Sequence, residues 1–133
     1  MEFIKNKIMK KYISILLLFL SINVFSQEGD LEWHTDLNKA IEISIESEKP
    51  LFMFFTGSDW CGWCIRLQKE VFFKPDFVKW AKENLVLVEL DFPRRKKLEE
   101  SLKQQNENLR QMFAVRGYPT GWFVVPQIEE NKV

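Results

Sequence analysis

Residues 51–55 read Leu-Phe-Met-Phe-Phe, an apolar run with no polar side chain in it. A strand of this kind has no face to show water, so it belongs in the middle of a sheet covered on both sides. The flanking sequence supplies the covers. Leu37, Ala40, Ile41, Ser44 and Ile45 recur at helical spacing to about Ser47. Thr35 or Asp36 is placed to cap that helix, and Lys49-Pro50 to stop it. Further on, Ile65, Leu67, Val71 and Phe72 alternate with Arg66, Gln68, Lys69 and Glu70 as a helix does. Pro75 interrupts, and residues 76–81 continue for another turn or two. Residues 85–90 form a second apolar strand ending in Asp91, and residues 122–125 a third. A short strand is expected near 31–33. Between the second and third strands, residues 94–113 are polar and helical, with Leu98, Leu102, Leu109, Met112 and Phe113 as the apolar stripe and a candidate break near 104–106. Strands alternating with helices predict an α/β fold with a parallel or mixed sheet.

The 133 residues allow one domain, and 46% apolar with 14% aromatic content is enough for a packed core. Formal net charge is zero, but residues 1–26 carry Lys5, Lys7, Lys10 and Lys11 against Glu2 alone. Of the 19 basic and 19 acidic residues, 15 and 18 therefore fall in 27–133, a net of −3. A mildly acidic globule has no electrostatic footprint for nucleic acid. Arg94-Arg95-Lys96-Lys97 is most simply a solvated patch, although basic residues sit poorly at a helix start.

The basic start and the apolar run over 13–25 have the pattern of an export signal, too short for a typical bilayer span. Cleavage is expected before Gln27, after Val24-Phe25-Ser26; the alternative is an uncleaved N-terminal anchor. No cysteine follows the run, which excludes a bacterial lipoprotein anchor. The domain reading is therefore a signal peptide at 1–26 and a globular domain at 27–133, exported to the periplasm or another extracytoplasmic space. No stable membrane association is expected after cleavage, and the chain is expected to be a monomer.

The chain has two cysteines, Cys61 and Cys64, in Trp60-Cys61-Gly62-Trp63-Cys64. Two cysteines cannot make a multi-disulfide scaffold. Zinc needs four ligands, and the other soft ligand is His34, which reads as a surface or capping residue; no metal site is expected. Haem attachment needs a histidine directly after the second cysteine, where Ile65 stands. A redox pair is the reading that survives, against the alternative of two core cysteines that happen to be close. Lying between a buried strand and a helix, Cys61 should sit at the helix N-terminus, where free N–H groups and the helix dipole favour a thiolate. Thioredoxin is the standard instance of such a lowered pKa. Cys64 falls one turn along on the same face. Cys61 is expected to be exposed and to attack, and Cys64 to be shielded and to resolve the mixed disulfide. Gly62 would let a substrate backbone approach, and Trp63 adds apolar surface beside the sulfur.

With Gly117-Tyr118-Pro119-Thr120 about fifty-five residues after the cysteines, the pattern resembles the thioredoxin superfamily. Within it, the chain is most similar to exported bacterial thioredoxin-like proteins with a Thr-Gly-Ser-Asp-Trp-Cys approach to the site. The resemblance covers roughly 31–125. It implies a three-layer α/β/α fold with a central mixed sheet, and a cis Tyr118–Pro119 bond facing the cysteines, cis bonds being essentially a proline feature. It also implies a substrate site formed by Trp60, Gly62, Trp63, Tyr118, Pro119 and Thr120, the backbone beside Pro119 pairing with a substrate strand.

Three departures stand out. Trp63 occupies the position where thioredoxins usually have proline, which leaves the direction of electron flow open. Phe55 stands where many have a buried acid; Glu89 on the next strand is a candidate substitute for moving a proton to or from Cys64, against a plain solvated or salt-bridged strand residue. The last strand and helix of the fold are missing, which would leave the third strand as an apolar edge; a C-terminally incomplete domain is the expectation. The function expected is thiol–disulfide exchange with extracytoplasmic proteins through Cys61 and Cys64, reductase direction favoured. A partner redox protein would carry the electrons, and no cofactor is implied. The alternative is a polypeptide-binding or chaperone module with little turnover.

Overall fold

A computed structural model describes residues 31–127. The expected signal peptide, its cleavage point and the chain's last residues lie outside this range.

The sheet has four strands: β1 (Trp33–His34), β2 (Leu51–Thr56), β3 (Val86–Asp91) and β4 (Thr120–Val124), in the order β1-β3-β2-β4. β1 and β2 run parallel to β3, and β4 runs antiparallel to β2, so the sheet is mixed. β2 is buried along its whole length, as its composition requires. Strand residues point alternately to the two faces, and β2 feeds two separate cores. Leu51, Met53 and Phe55 join Val86, Val88, Leu90, Ala40 and Leu109 on one face. Phe52 and Phe54 join Leu87, Phe72, Ala81, Cys61 and Cys64 on the other.

The first face is covered by α1 (Leu37–Ser47) and α4 (Glu100–Met112), the second by α2 (Gly62–Leu67) and α3 (Pro75–Asn84). This is the three-layer arrangement expected. Asp36 caps α1, its carboxylate accepting from the Asn38 and Lys39 N–H groups at 2.9 and 3.2 Å. Ser44 is buried in that helix but donates its hydroxyl to the Lys49 carbonyl at 2.5 Å, so its burial leaves no polar atom stranded. Pro75 opens α3 at its first turn, where a missing N–H costs nothing.

α2 continues into a π turn, Gln68–Phe72, closed by Phe73 N–H donating to the Gln68 carbonyl at 2.9 Å. A π turn adds a residue to the helical repeat and shifts the phase of the residues after it. Val71, expected on the apolar face, is therefore exposed, and Phe72 alone turns inward. Its ring meets Trp33, Phe52, Phe54 and Phe77 at centroid distances of 5.0–5.8 Å.

Other expectations need correction. The polar helix begins at Glu100, not Arg94, because the backbone N–H groups of residues 94–96 donate to the Asp59 carboxylate. It does not break near 104–106: Asn106 is buried within it and donates to the Asp91 carbonyl at 2.9 Å. Met112 lies outside the apolar stripe and is exposed. His34 is neither surface nor cap; it lies in β1 with its side chain 11% exposed, 3.9 Å from Glu32. On β4, Trp122 and Phe123 are exposed, and among the described residues no strand pairs with its outer edge. No described helix is long and apolar enough to cross a membrane.

Candidate active site

β2 ends at Thr56, and the chain turns sharply: the Trp60 and Cys61 N–H groups both donate to the Gly57 carbonyl, at 3.2 and 2.8 Å. Cys61 emerges as the N-cap of α2 in extended conformation. Its Sγ accepts the Cys64 backbone N–H at 3.2 Å, one of the donors a helix start leaves free. The two cysteines are joined as a disulfide, with Cα atoms 5.3 Å apart. Among the described residues no group of three or more His, Cys, Asp or Glu is placed to hold a metal.

Cys64 is fully buried, as expected of the inner sulfur. Cys61 is only 5% exposed and so is not the open residue expected. It belongs to the second core cluster, against which Trp60 and Tyr118 also pack. Trp63 is 69% exposed, with the Arg66 guanidinium 5.6 Å from its ring. A Cβ built on Gly62 would meet nothing within 4 Å, so nothing described in this chain demands a glycine there. The Tyr118–Pro119 bond is cis. Tyr118 touches both core clusters and meets the Trp60 ring edge-on at 5.7 Å. Burial pushes the Tyr118 phenol's pKa up. Thr120 opens β4 opposite Phe55 and donates to the Gly117 carbonyl at 2.7 Å.

Glu89 pairs with Phe54 in the parallel ladder and so shares the sheet face that carries the cysteines. It is half-buried, and that burial, with the Asp91 charge nearby, pushes its carboxyl pKa above the ordinary value. Thr56 lies on the same face, fully buried; its hydroxyl has no hydrogen-bond partner among the described residues.

Sequence reasoning did not find what fixes the approach to Cys61. Ser58, Asp59 and Trp60 are each tied to the end of β3 or to the segment after it. Asp91 accepts the Ser58 N–H at 2.8 Å and the Ser58 hydroxyl at 2.5 Å. The Asp59 carboxylate accepts the backbone N–H groups of Arg94, Arg95 and Lys96 at 3.0, 2.7 and 2.9 Å, while the Arg95 guanidinium donates to the Asp59 carbonyl. Those N–H bonds, Arg94's first, hold the Asp59 pKa down at about 2. Trp60 donates its indole N–H to the Phe92 carbonyl at 2.7 Å, and the Arg94 guanidinium lies 3.8 Å from the Trp60 ring centroid. Gly57 leaves room for the indole: a Cβ there would come within 2.4 Å of Trp60 Cε2. The one sequence signal was the dense polar run Thr56-Gly57-Ser58-Asp59 directly before the tryptophan, more polar than a strand-to-helix turn needs.

Comparison with known proteins agrees with this geometry. The family described as a thioredoxin-like domain matches residues 37–129, more than half of the chain. The chain is 37% identical over 96 residues to the disulfide bond reductase DsbH of Chlamydia pneumoniae, and 34% identical over 114 residues to the thioredoxin-related protein DsbJ of the same organism. These alignments take in 72% and 82% of this chain but 57% and 33% of those relatives, so the chain spans about half or less of their length. Among solved structures, a DsbH oxidoreductase superposes with a TM-score of 0.70 at 35% identity, over 78% of this chain and 72% of that one. A thioredoxin from Thermus thermophilus superposes with a TM-score of 0.57 at 17% identity, over 74% and 68%, a likeness of fold.

Proposed function

Because the chain belongs to the thioredoxin-like family, we propose that it exchanges dithiol and disulfide with extracytoplasmic protein substrates, in the reductase direction. The observation that carries this is the Cys61–Cys64 pair at the start of α2, with the Cys64 N–H bonded to Cys61 Sγ. A donor aimed at that sulfur stabilises a thiolate on it more than a thiol. In the reduced protein, the Cys61 thiolate attacks one sulfur of a substrate disulfide. The mixed disulfide forms and the other substrate sulfur leaves as a thiolate. Cys64, deprotonated, then attacks Cys61 Sγ; the Cys61–Cys64 bond closes and the second substrate sulfur leaves. Two electrons pass to the substrate, and the intramolecular disulfide is the oxidised end of the cycle. A partner redox protein returns the pair to the dithiol. The name disulfide bond reductase, borne by the relative at 37% identity, supports the direction.

Trp60, Gly62, Trp63, Tyr118, Pro119 and Thr120 form the substrate side of this reading. Exposed Trp63 and the open space over Gly62 suit an incoming backbone. Glu89 is the proposed proton relay to Cys64, on the grounds of its sheet face and its raised pKa. Residues 1–26 are the proposed export signal and 27–133 the monomeric mature domain.

The test is reduction of insulin by the protein with dithiothreitol as electron source. Cys61→Ser should abolish the protein-dependent rate, and Cys64→Ser mixed with insulin in the absence of dithiothreitol should accumulate mixed disulfides that dithiothreitol then releases. Activity surviving Cys61→Ser removes the mechanism. Complexes of Cys64→Ser that resist reducing agent point instead to a non-covalent polypeptide-binding module.

A further inference from the structure

The basic run at 94–97 is the sequence feature that the exchange chemistry leaves unused. It is neither helical nor loose. Asp59 holds its backbone through three N–H bonds, the Arg95 guanidinium folds back onto the Asp59 carbonyl, and Arg94 lies on Trp60. All four residues are exposed, and among the described residues none has a carboxylate within salt-bridge distance. Arg94 lies over Trp60, which directly precedes Cys61. On the other side of the run a cavity of about 600 Å³ opens, with Phe92, Pro93 and Leu98 as apolar lining and Lys96 and Lys97 among its cations. Three acids share its wall: Glu100 lies 3.7 Å from Lys103, Glu107 is paired with Arg110, and Asp91 accepts the Ser58 N–H and hydroxyl. Phe92 joins cavity to site: its ring meets Tyr118 at 5.1 Å, and its carbonyl holds the Trp60 indole. Lys96 is close enough to Glu89, and Arg95 to Asp59, to act on those carboxylates. None of the four cations forms a salt bridge among the described residues, however, and a path of positive charge and apolar surface runs from Trp60, beside Cys61, into the cavity. It does so on a domain whose net charge over 27–133 is −3.

We propose that this path is a docking surface for the segment flanking the reactive cysteine of the substrate, and that it selects polypeptides with acidic residues there. This rests on the exchange reading of Cys61 and Cys64. Clustered charge of one sign beside a reactive group raises the encounter rate of partners of opposite sign and disfavours like-charged ones. The apolar lining of Phe92, Pro93 and Leu98 would take a neighbouring non-polar side chain.

The test uses three disulfide-linked peptide dimers, identical except for glutamate, serine or lysine on both sides of the cysteine. Uncharged 2-hydroxyethyl disulfide is the reference. At low ionic strength the glutamate dimer should be reduced about tenfold faster than the lysine dimer, and the ratio should collapse towards one in high salt. Lys96→Glu with Lys97→Glu cancels the run's charge against Arg94 and Arg95 and should erase the preference while leaving the 2-hydroxyethyl disulfide rate unchanged; Lys96→Ser with Lys97→Ser leaves half the charge and should weaken it. Equal rates for the three dimers in the parent protein at low salt overturn the proposal, as does a glutamate preference that survives charge reversal. If 2-hydroxyethyl disulfide is not reduced at all, the exchange reading fails. Docking is then decided by titrating tryptophan fluorescence with cysteine-free glutamate and lysine peptides, where equal affinity overturns it.

Discussion

Gly57→Ala isolates the contacts that hold the approach to Cys61. No described glycine has a positive φ, so alanine meets no backbone penalty at this position. The penalty is spatial: the new methyl would lie 2.4 Å from Trp60 Cε2 and 2.5 Å from Nε1, so the indole must move. It then gives up its hydrogen bond to the Phe92 carbonyl at 2.7 Å, its edge contact with Tyr118 and the Arg94 guanidinium over its face. A neutral hydrogen bond is worth about 1 kcal/mol net. The aromatic pair adds about 0.5–1.5 kcal/mol, and an exposed cation–π contact about 0.5–1 kcal/mol. The expected loss is therefore about 2–4 kcal/mol in urea unfolding, with an altered near-ultraviolet tryptophan signal and slower insulin reduction. The decisive arm is a double-mutant cycle. With Trp60→Ala already in place there is nothing for the methyl to strike. Gly57→Ala should then be neutral or stabilising by about 0.4–1 kcal/mol, through lower entropy of the unfolded chain. If Gly57→Ala costs the same in both backgrounds, or costs nothing in the parent protein, the steric account of Gly57 is wrong.

Phe72→Ala should cost about 3–5 kcal/mol, since the ring is buried among four other aromatic side chains, and Phe72→Leu markedly less; denaturant unfolding with an unchanged m-value checks this. Glu89→Gln has a sign fixed by linkage. Its folded pKa is raised, so the ionised form is costly in the fold, most so once the pH has passed that raised value. The variant should be more stable than the parent at neutral pH, lose that advantage as the pH falls from the raised folded value towards the ordinary 4.5, and have none left below it. A pH profile of thiol exchange identical in Glu89→Gln and parent removes the proton relay.

Two local signals carried most of the fold. The apolar run of β2 can be satisfied only by cover on both faces, and that places the sheet, its two cores and the turn at its end. The cysteines' place at the head of α2 comes from a helical pattern beginning directly after an apolar strand. What was not legible lies in contacts across the sheet. Asp59 reaches residues 35–37 positions away, and by taking their N–H groups it moves the start of α4 from Arg94 to Glu100. Local periodicity carries no trace of such a bond. The low exposure of Cys61 is likewise a matter of packing across the sheet, in a cluster with Phe52, Phe54 and Leu87. The phase error at Val71 is of another kind: a helical wheel assumes a constant rotation per residue, and the π turn breaks that assumption.

The same turn divides the labour along its helix. An α-helix advances about 100° per residue, so if the same residues wound through Gln68–Phe72 as a regular α-helix, everything downstream would be turned by about that angle. The position now held by Phe72 would swing out of the aromatic nest, while Cys61 and Cys64, fixed from the other end by the Gly57 turn, would keep their place. Gln68–Phe72 thus works as an angular coupling between two settings that do not match: the one the sulfurs need and the one the core needs. Changes in length there should trade stability against nothing chemical, whereas the same change at residues 57–61 would shift the cysteines themselves.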